Sequence, residues 1–344
     1  MKYVLAPLAE FTNAAFRKIA HEMGADLTYT EMASAAALAH GSSPTRHLFE
    51  TLPDEGPVVC QIFGHNVDEV ACAARAASAC RAITSAPRGA AETSDKASAP
   101  RDAAETEKET SAPRFVALDL NAGCPMPRIR HEGDGAALVE NPQLVHDLLV
   151  AMKRETDLPV TLKTRPGPHP ERVNMFELLD AAETAGAAGI TLHARFTSQM
   201  HGGAVHLDLL AELVQRAKIP VTGNGGVHDA ATAAAMAATG VDAIMLGRAA
   251  ISHPDIFRRL KGGDAPPLRE LFERHVRYLL ELRERLAQKF PNDHVPSPDG
   301  FVSVALHKHL FHYFKGIPGA AELRRRLNDI RTLAETQALA SLLP

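Results

Sequence analysis

The sequence predicts an α/β fold: a (β/α)8 TIM barrel followed by an all-helical domain. Eight short, near-continuous apolar runs alternate with Ala-rich helical stretches over residues 1–254. Parallel strands covered by helices read this way, because both of their faces are buried. Strand signals then stop, and residues 255–344 carry helical periodicity punctuated by Gly and Pro. The chain has 344 residues, 45% of them hydrophobic. That accommodates a barrel of about 250 residues with an appended unit.

In chain order, strands are expected at 3–8 (YVLAPL), 26–31 (DLTYTE), 58–63 (VVCQIF), 115–121 (FVALDLN), 159–164 (PVTLKT), 189–193 (GITLH), 219–223 (IPVTG) and 242–246 (DAIML). Helices are expected at 12–23, 66–81, 141–156, 172–185, 206–217 and 229–238. Asn141-Pro142 and Asp229 are helix-start residues: a short polar side chain caps free N–H groups, and proline suits the first turn. Segment 83–114 breaks the pattern. SAPR recurs at 85–88, 98–101 and 111–114, and almost no large apolar residue accompanies it. Such a tract cannot bury itself, so a disordered insertion is expected. It follows a helix and precedes a strand, which puts it on the face opposite the one where barrel chemistry occurs. The division is therefore 1–254, barrel with insertion 83–114, and 255–344, helical.

Composition narrows the classes. Lys and Arg number 37 against 41 Asp and Glu, a net charge of −4, so no uniformly basic coat exists. Split at the domain boundary, the barrel carries −8 and the helices +4. Cys60, Cys72, Cys80 and Cys124 are too few for a disulfide scaffold and form no CxxC pair, so reduced thiols in a cytoplasmic protein are expected. The N-terminal apolar run is broken by Pro7 and Glu10 and is not a signal peptide. No run approaches 18 apolar residues, so no membrane partner is expected, and no metal is expected either.

Chemistry in such a barrel lies at the strand C-terminal ends. These carry Pro7-Leu8-Ala9, Glu31, Gln61, Asn121 with Cys124, Lys163 with Arg165, His193 with Arg195, Asn224-Gly225-Gly226 and Gly247-Arg248. TGNGG and LGR end the last two strands. Glycines there let backbone N–H groups approach a phosphate, and Arg248 adds a charge-assisted contact. GNGG alone is as readily a tight turn. Lys163 ends an apolar strand, where an ammonium can stabilise negative charge on a cofactor ring rather than snorkel to solvent. His193 is one of 17 histidines and says little by itself. Cys124, between Gly123 and Pro125, sits at the mouth and can serve as acid or nucleophile; the other three cysteines read as small core hydrophobes.

The ordered set LAPLAEFTNAAFRKIAHEMGADLTYTEM, VCQIFG, DLNAGCP with GDGAALVENP, VTLKTRPG, TLHAR, IPVTGNGGV and DAIMLGRAA resembles the tRNA-dihydrouridine synthase family. HKHLFHYFKGIPGAAELRRRL resembles that family's helical tRNA-binding domain. The resemblance implies an FMN-bound barrel that reduces uridine in tRNA to 5,6-dihydrouridine with NADPH. Pro7, Leu8, Ala9, Gln61, Lys163 and His193 would hold the flavin, and Asn224, Gly225, Gly226, Gly247 and Arg248 its phosphate. Cys124 would donate a proton to C5 of the base, with Asn121, Arg165 and Arg195 lining the substrate pocket. Lys308, Lys315 and the run Arg324, Arg325 and Arg326 would contact RNA phosphate, one tRNA per monomer. The family often has Met, Gly and Asp where this chain has Leu8, Glu10 and Asn13, and Arg128 replaces a lysine usual after the CP pair.

Two other readings remain at this level. A free-pyrimidine or enoate flavin reductase, such as a dihydroorotate-dehydrogenase-like barrel, needs no basic helical domain. A non-enzymatic RNA-binding protein needs no intact Cys124, Lys163 and Gly225-Gly226.

Overall fold

The computed structural model describes residues 1–87, 105–315 and 327–343. Eight parallel strands form the barrel: β1 (Lys2–Leu5), β2 (Thr28–Tyr29), β4 (Val58–Phe63), β7 (Ala117–Ala122), β8 (Val160–Thr164), β9 (Gly189–His193), β10 (Val221–Asn224) and β11 (Ala243–Leu246). Each pairs with its neighbour in chain order, and β11 pairs with β1, Lys2 opposite Ala243. The ring closes between β1 and β2, where Leu5 N–H donates to Leu27 O at 2.9 Å and Asp26 N–H to Tyr3 O at 2.8 Å. Three strands outside the ring, β3 (Ala33–Ser34) against the end of β4 and the pair β5 (Arg81–Pro87) and β6 (Glu105–Pro113), complete the described strands.

The expected strands form because their side chains are buried on both faces. Every residue of β4, β7 and β11 is buried. Asn141 and Asp229 set helix starts as expected, and Asn66 sets a third. Asn66, Asn141 and Asp229 side chains accept from the first-turn N–H groups of Val67–Ser78, Pro142–Arg154 and Ala230–Ala237. The second strand is shorter than expected, two residues against six, since its other residues make single bridges and turns.

Of the insertion, only the two flanks fall within the described residues. Its flanks pair as an antiparallel ribbon, with Ser85 opposite Glu107 and Pro87 opposite Glu105. Arg114 N–H donates to Cys80 O at 3.0 Å, which closes the neck and brings the two flanks side by side. Once the neck is closed, pairing the flanks needs little further loop closure. Residues 88–104 lie outside the described residues.

Two cores meet on one helix. In Ala14–Glu22, Phe16 and Ala20 join the barrel core, while Ala14, Ala15 and Ile19 join the helical-domain core. That second core is built by Leu271, Phe272 and Leu279 of the helix Leu268–Lys289 and by Val302, Leu306 and Leu310 of the helix Pro298–Tyr313. Helices Leu268–Lys289, Pro298–Tyr313 and Leu333–Ala338 give the appended domain its expected character.

Candidate active site

The barrel mouth brings polar groups together as two hydrogen-bonded sets. The first begins below the surface at Asp119, fully buried and the one acid of β7. Its carboxylate accepts from Thr161 Oγ1 at 2.5 Å and from Gln61 Nε2 at 2.8 Å. Gln61 Oε1 accepts from Asn121 Nδ2 at 2.9 Å. Asn121 Oδ1 then accepts the N–H groups of Gly123 at 3.0 Å and Cys124 at 2.9 Å. In its ionised form, which burial disfavours by raising the pKa to about 7, the carboxylate has only acceptors to offer and so fixes the direction of both amides above it. The backbone beside the Cys124 thiol is thus oriented from the barrel interior.

The same loop is fixed on its other side. Arg165 Nε donates to Gly123 O at 2.7 Å, and its Nη1 donates to Arg195 O at 3.2 Å and Phe196 O at 3.1 Å. The buried guanidinium braces the loops after β7 and β9. Ala136 N–H donates to Cys124 O at 2.9 Å. Gly135, at φ +58°, makes that approach possible, since a Cβ there would lie 2.8 Å from Cys124 O. The Cys124 thiol is half-buried, and burial raises its pKa against the opposing pull of Arg165 and Lys163. It therefore holds its proton at neutral pH.

The second set centres on Asn224. Its Nδ2 donates to Met245 O at 2.8 Å, so its Oδ1 is the acceptor for Lys163 Nζ at 3.2 Å and His193 Nδ1 at 2.7 Å. That arrangement puts the His193 proton on Nδ1. Burial, then Lys163 and Arg165, push the imidazole pKa well down, so the ring is neutral. Its Nε2 is a buried lone pair without a partner. Burial and the Arg165 charge also lower Lys163.

Arg195 holds Gly203 O through Nε at 3.1 Å, and its buried Nη1 has no partner. Gly225 and Gly226 lie against it: a Cβ on Gly225 would sit 3.6 Å from Arg195 Nη1, and one on Gly226 would strike Val205 Cγ2 at 2.6 Å. Gly226 has φ +76°, a backbone that favours glycine. Gly247 faces the Leu8 side chain, which brings the Pro7-Leu8-Ala9 loop beside the last strand. Arg248 is exposed, and its Nη2 donates to His201 O at 3.0 Å.

The sequence-derived mouth residues therefore gather at one end of the barrel. Sequence reasoning missed Asp119, Thr161 and Gly135. The signal for Asp119 was present, a lone acid inside a run of apolar strand residues. On the helical domain, Lys308 pairs with Glu10 at the rim, and Lys315 is exposed past the same helix. Arg324, Arg325 and Arg326 lie outside the described residues. Among the described residues no group of three His, Cys, Asp or Glu side chains gathers as a metal site, and no helix is long and apolar enough to cross a membrane.

A closed (β/α)8 barrel with its polar and glycine-rich groups concentrated at the strand C-terminal ends is the architecture of a barrel enzyme. The sequence model of the dihydrouridine synthase family matches residues 4–84 and 96–343. The chain belongs to that family. It is 31% identical over 289 residues to tRNA-dihydrouridine synthase B of Escherichia coli K12, covering 81% of this chain and 80% of that one. The corresponding protein of Klebsiella pneumoniae is 32% identical over 289 residues, 81% of this chain and 80% of that one. A probable tRNA-dihydrouridine synthase of Mycobacterium leprae is 29% identical over 381 residues, 99% of this chain and 87% of the relative.

Proposed function

We propose that this protein is a monomeric, cytoplasmic flavoenzyme that reduces uridines in tRNA to 5,6-dihydrouridine, using FMN and NADPH, with Cys124 as proton donor. The observation that carries the reading is Cys124 at a strand end of a barrel of this family, its backbone held by Asn121 and its loop braced by Arg165. The mouth also fits a flavin nucleotide. The orphaned Arg195 Nη1 beside Gly225 and Gly226 suits a phosphate, and the orphaned lone pair of His193 Nε2 suits a ligand hydroxyl or N–H. Pro7, Leu8, Ala9, Gln61, Lys163, His193, Asn224, Gly225, Gly226, Gly247 and Arg248 would hold it.

Reduced by NADPH, the bound flavin would supply a hydride equivalent to C6 of the uracil ring. Cys124 gives its proton to C5, as a thiol that stays protonated at neutral pH can. Lys163, held by Asn224, places positive charge at the mouth, where negative charge must be stabilised. Asn121 serves through its contact with the Cys124 backbone. Arg165 acts as the brace of the Cys124 loop, and Arg195 stands between the glycine turn and the substrate side. The target base must leave its stack at a cost of about a few kcal/mol, which contacts to the surrounding RNA offset. Lys315 and the arginine run 324–326 are proposed for those contacts.

The test uses FMN-loaded protein, NADPH, an unmodified tRNA transcript and free uridine as separate acceptors. Dihydrouridine formed in the tRNA, with far slower reduction of free uridine, is expected. Equal reduction of free uridine would place the protein among small-molecule flavin reductases. Failure to bind FMN at all would overturn the reading.

A further inference from the structure

Glu10 has no place in the chemistry above, yet two contacts fix it at the rim of the mouth. Its backbone is left-handed, at φ 68°. Its N–H donates to Glu31 Oε2 at 2.5 Å. Its carboxylate pairs with the ammonium of Lys308 on the helix Pro298–Tyr313, although side-chain exposures of 64% and 48% leave both groups open to solvent. One residue along, His309 Nε2 lies 3.1 Å from Phe11 O, with the Phe11 ring edge-on to the His309 ring. The loop after β1 and the helical domain therefore meet at one seam on the rim, where the Lys308 ammonium is held by the Glu10 carboxylate.

A base inserted into the mouth brings its flanking phosphates to that rim. Lys308 is placed to receive one, and Glu10 already occupies its ammonium. We propose that Glu10 is a built-in stand-in for RNA phosphate: it holds Lys308 ready in the RNA-free protein, and a substrate phosphate displaces it. This rests on the reading that the protein acts on RNA. An exposed ion pair is weak, so the carboxylate holds Lys308 in place yet yields to a polyanion. Displacement carries a modest cost, which an isolated anion cannot offset through further contacts and a folded RNA can. Glu10 thereby raises the discrimination of the rim for extended polyphosphate over single anions.

The stand-in differs from a structural clip in the sign of its effects. Glu10→Gln frees Lys308 and tightens tRNA binding by about two- to five-fold, the scale of one exposed ion pair. Lys308→Met weakens binding and flattens the salt dependence by about one phosphate contact. Binding is read by titrating the FMN-loaded protein with unmodified tRNA at several salt concentrations. Asp180→Asn, which removes an exposed acid from the outer helix Met175–Thr184, controls for net charge and is expected to leave binding unchanged. If Glu10→Gln and Lys308→Met both weaken binding, the pair is a clip and the proposal fails. It fails equally if Glu10→Gln tightens binding no more than Asp180→Asn, or if Lys308→Met leaves the salt slope intact. Wild-type protein that neither binds nor reduces tRNA contradicts the functional reading instead.

Discussion

At the scale of single residues, the backbone beside Cys124 is set by a chain of buried polar groups that starts inside the barrel. Asp119 orients Gln61, Gln61 orients Asn121, and Asn121 holds the Cys124 backbone. Asp119→Leu removes the acceptor at the base of this chain. We expect turnover to fall by about 100-fold, the scale of a small misplacement at a reacting group, with faster alkylation of Cys124 in the flavin-free protein. Asp119→Asn keeps an acceptor for Gln61 and is expected to restore most of both. The thiol itself gives a pH signature. Only the thiolate is alkylated, and burial raises the Cys124 pKa, so alkylation at neutral pH should be slower than for free cysteine, its half-point lying at higher pH. Cys124, Lys163 and the glycine pair were legible in the sequence because strand ends in a barrel face its mouth. The orienting role of Asp119 was not, since it depends on which neighbouring strand supplies the partner. Arg165 read as a pocket residue because its position is right; only its three carbonyl contacts show it to be a brace.

At the scale of elements, the long ones were legible and the short ones were not. Helices of eight or more residues repeat their apolar face, and Asn141 and Asp229 announce the starts of two of them. Ala35–Ala39, Ser43–His47 and Pro127–His131 have five residues each, too few turns to display a period. The insertion was read from composition alone, which gives no information about two flanks joined at a neck. The turn after β10 carries a prediction of its own. Gly226→Ala forces a side chain into a left-handed backbone and against Val205. The conformational penalty alone is about 1–2 kcal/mol. We expect FMN to bind about tenfold more weakly, read from quenching of flavin fluorescence, with little change in the Cys124 alkylation rate.

At the scale of the molecule, barrel and helices are one structural unit. The helix Ala14–Glu22 belongs to both cores, and Glu50, fully buried, joins them electrostatically. Its carboxylate meets Arg114 at 3.3 Å from the barrel side, and Arg285 at 3.3 Å and Lys289 at 3.4 Å from the helical domain. Glu50→Ala leaves buried cations without this anion, a loss of about 3–5 kcal/mol. Thermal denaturation should show a melting temperature lower by several degrees, whereas an unchanged value would mean the domains do not depend on this contact. The division into barrel and helices was legible in the periodicity. The shared helix was not, because a sequence shows that a helix has two apolar faces without showing what covers each.

The proposed activity requires Cys124 to give its proton to a uracil ring. The most direct measurement is dihydrouridine in an unmodified tRNA, quantified by mass spectrometry after reaction with FMN-loaded wild-type protein and Cys124→Ala under NADPH. Loss of a general acid costs about 10²- to 10⁴-fold. The account predicts a fall in that range for Cys124→Ala, with flavin content and tRNA affinity retained. Wild-type rates in the variant would contradict it.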